Sequence, residues 1–324
     1  MDKIFRTTAS GHKSSEETLR LINEQFTSAS FDGYHFLYEE GDYFINSQIY
    51  PDLTEVEVGV TKAFLPIDMI LEEEESSDKT LILRFGKELS SYDDEKDIIK
   101  IKNQKANGAM LFFNNKLQRS FIPKDQLIHF INIRVKIEDI NKITRNRFPK
   151  FVEAMVNNKP LFFYELLTLE MEELIEKIFD LQETDMGRIG LTLGYSIQLF
   201  TLFFMQLETR MDNDGFANFK VDSKLMFQIK DYLLDNLDQQ ISTEMICEKY
   251  GISPQKLRNH FKAAFGYPPH QFVLQSRLLQ AKKMLQDPNN SLTDIAYSLG
   301  FANPNHFSKA FKKNFGVAPK KYRK

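Results

Sequence analysis

Hydrophobic and polar residues change their period along this chain. They start at two residues, lengthen to about 3.6, and end in a helical pattern that is written twice. The period of two runs from about Tyr34 to Ile137. There Val56, Val58 and Val60 alternate with Glu55, Glu57 and Gly59, and Ile131, Ile133, Val135 and Ile137 alternate with Asn132, Arg134 and Lys136. Short runs at Tyr43–Ile49, Leu81–Phe85 and Met110–Phe113 add further strands. Several short strands with turn signals between them predict a small β-sandwich or barrel over residues 1–150.

The helical period then takes over. Leu161–Leu181 predicts an amphipathic helix with Leu167, Met171, Leu174, Ile175, Ile178 and Phe179 on its apolar side. Gln182 to Gly187 makes a turn. Leu191–Leu207 is apolar around much of its circumference, yet it contains Thr192, Gly194, Ser196, Gln198, Thr201 and Gln206. It is also short for a membrane span of about 20 residues, so the expectation is a soluble helix buried by another surface, and no membrane. Together the two helices predict a hairpin within 151–213. It packs either on its own domain or against a second copy. One hairpin covers so many Leu and Phe poorly, which favours a homodimer through the 161–207 helices.

The last third contains one sequence twice. Phe261-Lys262-x-x-Phe265-Gly266-x-x-Pro269-x-x-Phe272 returns 50 residues later as Phe311-Lys312-x-x-Phe315-Gly316-x-x-Pro319-x-x-Tyr322. Upstream, Ser242, Ile246 and Gly251 match Ser291, Ile295 and Gly300 at an offset of 49. Such a repeat is one supersecondary unit used twice. In each copy a serine caps a short helix and a glycine ends it. In the first, Met245, Ile246 and Tyr250 follow the cap with helical spacing. Ser253-Pro254 or Asn303-Pro304 then opens a second helix, with proline at the first helical position. Leu257, Phe261, Ala264 and Phe265 form its buried side in the first copy, and Phe307, Phe311 and Phe315 in the second. Helix, glycine turn, helix is the helix-turn-helix pattern, here at 242–265 and 291–315.

The outer faces of the two second helices carry the candidate chemistry. At i, i+3, i+4 and i+7, one face presents Gln255, Arg258, Asn259 and Lys262, and the other Asn305, Ser308, Lys309 and Lys312. Gln and Asn pair bidentately with adenine and Arg with guanine, while Lys and Ser suit phosphates or base acceptors. An ordinary solvated helix face is the plain alternative. Against it, the composition recurs in both copies and acids are absent from both. Lys256, Asn303 and His306 complete the candidate DNA-binding set.

Charge sorts the same way. From Val221 to Lys324, 16 Lys and Arg face 8 Asp and Glu, a net of +8. The rest of the chain holds 26 basic and 37 acidic residues, a net of −11, so the overall −3 hides a basic module tied to an acidic one. That asymmetry points to a polyanion partner. No Asp or Glu occurs between Gly251 and Gln286.

At these residues the chain resembles a known family. Ile295-Ala296-x-x-x-Gly300-Phe301…Phe307…Phe311-Lys312…Gly316…Pro319…Tyr322-Arg323 closely resembles the signature of AraC/XylS-type transcription regulators, over about residues 222–324. The resemblance implies two helix-turn-helix units joined by one long helix, here about Pro269 to Gln286. It also implies that both second helices enter successive major-groove segments on one face of DNA. One departure is Pro304, which stands near where such proteins often carry a base-contacting side chain. Asn305 and Lys309 are therefore expected to contribute more there. The N-terminal region looks like the sensor modules of such proteins, which are often cupin-like barrels, and the hairpin occupies a place where helices often dimerise them.

Other classes find little support. His35 and His129 are far apart and in no ligand spacing, so no metal is expected. The run Glu72–Glu75 reads as a solvated loop. Cys247, the one cysteine, excludes a disulfide framework and reads as packed core rather than a sensor thiol. Met1–Phe26 has no apolar core of signal-peptide length. No phosphate-binding glycine loop or nucleophile elbow occurs, so no enzyme and no cofactor are expected. The 29 Phe and absent Trp carry no functional reading.

The expected architecture is α+β and multidomain. A β-sandwich or cupin-like barrel (1–150) is followed by a helical hairpin (151–213) and an all-α DNA-binding domain (222–324). The expected function is a cytoplasmic, sequence-specific regulator acting on double-stranded operator DNA under a small organic effector, with RNA polymerase a candidate partner. Two alternatives stay open: a ligand-independent regulator whose N-domain only dimerises, and a β-barrel enzyme fused to a DNA-binding module.

Overall fold

Every period-two segment forms a strand. The structure, a computed structural model, describes residues 3–7, 14–50, 56–73, 80–86, 108–113, 118–144, 148–149, 162–184, 186–214 and 223–323. Contacts divide the chain into two units, 1–102 with 107–219 and 103–106 with 220–324.

The first unit runs β1 (Lys3–Thr7), α1 (Ser14–Gln25), β2 (Ala29–Phe31), β3 (His35–Glu40), β4 (Tyr43–Tyr50), β5 (Val56–Phe64), β6 (Met69–Glu73), β7 (Thr80–Gly86) and β8 (Gly108–Phe113). It continues with β9 (Gln118–Ile122), β10 (Ile128–Lys136), α2 (Ile137–Thr144), β11 (Phe162–Leu166), α3 (Leu169–Leu181) and α4 (Arg188–Asp214). Eight strands form an antiparallel sheet in the order β11-β8-β7-β10-β5-β4-β3-β2, and β1-β6-β9 form a second sheet. Among the described residues β2 and β11 stand at opposite edges of the large sheet, which does not close into a barrel.

Both faces of the large sheet are covered. Val58, Leu83, Phe85 and Ile133 pack against Met171 and Ile178 of α3 and against Phe200, Phe203 and Phe204 of α4. The opposite face, with Ile45, Ile49 and Ala63, packs against Leu19, Ile22 and Phe26 of α1 and Met69 and Ile122 of the small sheet. Two of the polar alternates are therefore buried, while Asn132 and Lys136 stay partly exposed. Glu57 is 1% exposed and Arg134 2%. They sit opposite each other across β5 and β10, with Arg134 Nε 3.4 Å from the Glu57 carboxylate. Beside them Arg84 Nε donates to Asn132 Oδ1 at 2.7 Å, and the Ser47 and Thr61 hydroxyls lie 2.8 Å apart. Burial of charge requires such partners.

Several boundaries differ from the sequence reading. Ile137 opens α2 instead of closing a strand. Residues 162–166 form edge strand β11, so the amphipathic helix begins at Leu169, where Thr168 Oγ1 accepts the Met171 N–H; Leu161 lies outside the described residues. The acidic run expected as a loop begins inside β6, and Glu74 and Glu75 lie outside the described residues. The helix Arg188–Glu208 is long and apolar enough to cross a membrane by length and composition, but Leu193, Leu199, Phe200, Phe203, Phe204 and Leu207 pack into the core with the sheet. Among the described residues, the large apolar side chains left exposed on α4 are Ile189, Leu191, Ile197 and Met205, at 51%, 45%, 39% and 56%.

The second unit comprises α5 (Ser223–Asp235), α6 (Thr243–Tyr250), α7 (Pro254–Phe265), α8 (Pro269–Met284), α9 (Leu292–Ser298), α10 (Pro304–Phe315) and α11 (Pro319–Tyr322). Phenylalanine builds its cores. The Phe261 ring lies 4.6 Å from Phe265 and 5.4 Å from Phe272, while Phe311 lies 5.7 Å from Phe307 and 4.5 Å from Phe315. Such tilted ring pairs contribute beyond their buried area.

Candidate nucleic-acid interface

Each copy of the repeat folds as helix, left-handed glycine, helix. In the first, Ser242 Oγ accepts the Met245 N–H to start α6, and Gly251 ends it at φ +62°. Ser253 Oγ then accepts the Lys256 N–H to start α7. In the second, Ser291 Oγ accepts the Asp294 N–H to start α9, the chain turns at Gly300 with φ +70°, and Asn303 Oδ1 accepts the His306 N–H at 2.8 Å to start α10. Each side-chain cap satisfies one N–H that the first helical turn leaves without an intrahelical partner. Both glycines hold a conformation that L side chains rarely adopt.

Burial selects the outer faces. Leu257, Phe261, Ala264 and Phe265 turn inward from α7, and Phe307 and Phe311 from α10, with Phe315 half-buried. Gln255, Lys256, Arg258 and Asn259 are exposed on α7 and Lys262 is half-buried; Asn305, His306, Lys309 and Lys312 are exposed on α10 and Ser308 is half-buried. Asn303 is exposed too, but its side-chain oxygen is taken by the cap. Gln255 Nε2 donates to Asn259 Oδ1 at 3.2 Å. The pair leaves Gln255 Oε1 as an acceptor and Asn259 Nδ2 as a donor outside this bond.

The electrostatics follow the same division. Every acid of this unit lies outside α7, α8, α10 and α11; Asp231 and Asp235 are on α5, Glu244 and Glu248 on α6, Asp294 on α9. Neither α7 nor α10 has an acid in its first turn, so the positive ends of both helix dipoles stand unopposed beside the exposed amides and cations. Lys230 does not join that field. It is fully buried, 3.0 Å from Asp231, and burial pulls its ammonium below the usual lysine range. Cys247 is half-buried, and burial with the neighbouring Glu244 pushes its thiol up, so it stays protonated.

Sequence reasoning overlooked exposed Lys313, which flanks Lys309 on α10. It also overlooked Arg277 on α8, a buried cation among neutral carbonyls. Of the apolar positions on α6 only Ile246 is buried, and Met245 is 47% exposed. No group of three His, Cys, Asp or Glu among the described residues is placed to hold a metal ion. His35 instead meets Asn46 at 3.1 Å, and His129 stands edge-on to Phe179.

Comparison with known proteins agrees with this geometry. A family model described as a helix-turn-helix domain matches residues 246–324. The chain is 27% identical over 157 residues to an HTH-type transcriptional activator RhaS of Mannheimia succiniciproducens, covering 47% of this chain and 54% of that one. It is 33% identical over 98 residues to the RhaS activator of Yersinia pestis, covering 30% and 36%. The chain thus matches about half the length, or less, of these curated relatives. Among solved structures, a probable AraC family transcriptional regulator from Rhodopseudomonas palustris is 29% identical, covering 31% of this chain and 93% of that one at a TM-score of 0.28. The C-terminal part of this chain is thus a helix-turn-helix domain, similar to those of AraC-type regulators.

Proposed function

We propose that the whole chain is a sequence-specific, DNA-binding transcription regulator. The observation that carries this reading is the pair of exposed, acid-free helix faces on one duplicated scaffold. Lys256, Lys262, Lys309 and Lys312 supply phosphate attraction, while Gln255, Arg258, Asn259 and Asn305 read base edges in two successive stretches of major groove. Its place is the cytoplasm, where operator DNA and RNA polymerase are met, and its role is not enzymatic.

The first unit is the sensor in this reading. It holds a cavity of about 320 Å³ lined by apolar Val60, Ile175 and Phe179 and by polar Lys62, His129 and Glu172. That size and mixture suit a small organic, amphipathic effector. The exposed Ile189, Leu191, Ile197 and Met205 on α4 supply the surface for a homodimer.

The test is selection of bound sequences from random DNA, with and without candidate metabolites. A two-block site is expected, bound with a log K against log salt slope near −5 if about six phosphate counterions are released. A flat salt response, or no selected sequence, refutes the reading.

A further inference from the structure

The long helix α8 has apolar and polar residues on every side because both helix-turn-helix units close on it. Phe272 joins the Phe261 and Phe265 rings of the first unit. Leu278, Ala281 and Leu285 join Ile295, Phe307 and Phe311 of the second. Between these two contact sets lies Arg277, 9% exposed. Its Nε donates to Leu237 O at 2.7 Å, its Nη2 to Gln239 O at 2.7 Å, and its Nη1 to Gly300 O at 2.9 Å. Gln240 Nε2 donates to the same Gly300 oxygen at 2.6 Å. One planar guanidinium therefore ties three segments: the loop before α6, the linker α8, and the turn between α9 and α10. The fork geometry of arginine fixes direction as well as distance. The segments are also in direct contact, since a Cβ at Gly300 would stand 2.6 Å from Asp238 O.

We propose that Arg277 is a positioning residue that sets the spacing between the two reading helices, and with it the separation of the two base blocks the protein accepts. The inference rests on the reading that both helices contact DNA. Base pairs along one strand are about 3.4 Å apart. To read a block displaced by one base pair, α10 would have to move by about that distance and turn with the groove. Hydrogen bonds of this kind do not survive such a stretch. With the clamp intact, a shifted block loses its contacts; without it, α9 and α10 can follow the groove by bending where they leave α8.

The experiment uses the full-length protein and four duplexes: the selected two-block site, the same site with one base pair inserted or deleted between blocks, and a single block. Affinity is read by fluorescence anisotropy at fixed salt. Wild type should lose at least about tenfold on both altered spacings, as a lost base contact does. Arg277→Met, which keeps the aliphatic stem and removes the donors, should lose affinity on the selected site but not on the altered ones, bringing the three within about threefold, the size of a sub-kcal/mol difference. The single block should be unaffected, and Arg277→Lys should restore part of the ratio. A folded Arg277→Met that weakens all four duplexes equally, with the spacing ratio of wild type, overturns the inference and leaves the DNA reading standing. Should Arg277→Met fail to fold, Gln240→Ala decides: a reduced ratio supports the clamp and a wild-type ratio overturns it. A wild-type protein that selects no two-block site sinks the underlying reading instead.

Discussion

Phe203→Ala tests where the apolar side of the hairpin is used. The ring is fully buried, 6.2 Å from Phe85 on the sheet and 5.8 Å from Phe204 on its own helix, edge-on to both. Truncating a buried Phe to Ala costs about 3–5 kcal/mol, because the neighbours collapse only partly into the cavity. Loss of two edge contacts, each about 0.5–1.5 kcal/mol, places this site toward the upper end. A unit of this size loses about 2–4 °C of melting temperature per kcal/mol, so its transition should fall by about 8–20 °C. Calorimetry of the full chain reads this directly, with the transition of the DNA-binding unit as internal reference. The double change Ile197→Glu with Met205→Glu should behave oppositely. Both residues are exposed, so the melting temperature should move by no more than the effect of about 0.5 kcal/mol per site. A dimer held through that surface should then sediment as a folded monomer. Phe203→Ala with an unchanged transition would refute the packing of α4 on the sheet. A wild-type protein already monomeric at micromolar concentration would refute the dimer surface.

Two further outcomes follow from single residues. Arg258→Ala should cost roughly 1–3 kcal/mol on the best site and relax preference at one base pair, whereas Lys262→Ala should weaken all sequences about equally; an unchanged selected logo for Arg258→Ala would show that α7 is turned otherwise. The Tyr38 phenol is pushed up to about 12 by burial and by its hydrogen bond to Glu40, so the folded state holds that proton above the ordinary value of 10.0. The first unit should accordingly lose stability as pH rises from about 10 to about 12, and Tyr38→Phe should make that slope shallower, with the raised Tyr43 and Tyr50 phenols keeping part of it; an identical alkaline profile in the variant would contradict the shift.

The second unit was legible in the sequence almost residue by residue. Its signals are local: a capping oxygen three residues before the N–H it accepts, a glycine at each turn, and phenylalanines at helical spacing. The first unit was legible in its strands and not in its closure. Alternation in β5 and β10 reports that a strand has two kinds of face. Whether the polar face meets water depends on α1 and the small sheet, which lie far away in sequence. The burial of Glu57 and Arg134 could not be read from that alternation. The hairpin's two possible packings were likewise not separable from local pattern. Its apolar stripe shows that α3 and α4 are covered, but residues of β5, β7 and β10 cover most of it. Arg277 escaped notice because no local pattern marks it. Its acceptors are backbone carbonyls, which any sequence supplies.

The turn at Gly300 also limits how the repeat can be engineered. At Gly251 and Gly316 the space a side chain would fill is open, and only the positive φ disfavours substitution. At Gly300 the space is occupied by Asp238 O. The two copies are thus similar in sequence but not equally portable. Specificity can be rewritten by point changes on either outer face. Transplanting the second copy as a cassette, however, requires moving the 237–240 loop and α8 with it. Chimeras joined inside α8 should fold poorly or bind with the wrong geometry, and a workable junction lies upstream, before Leu237.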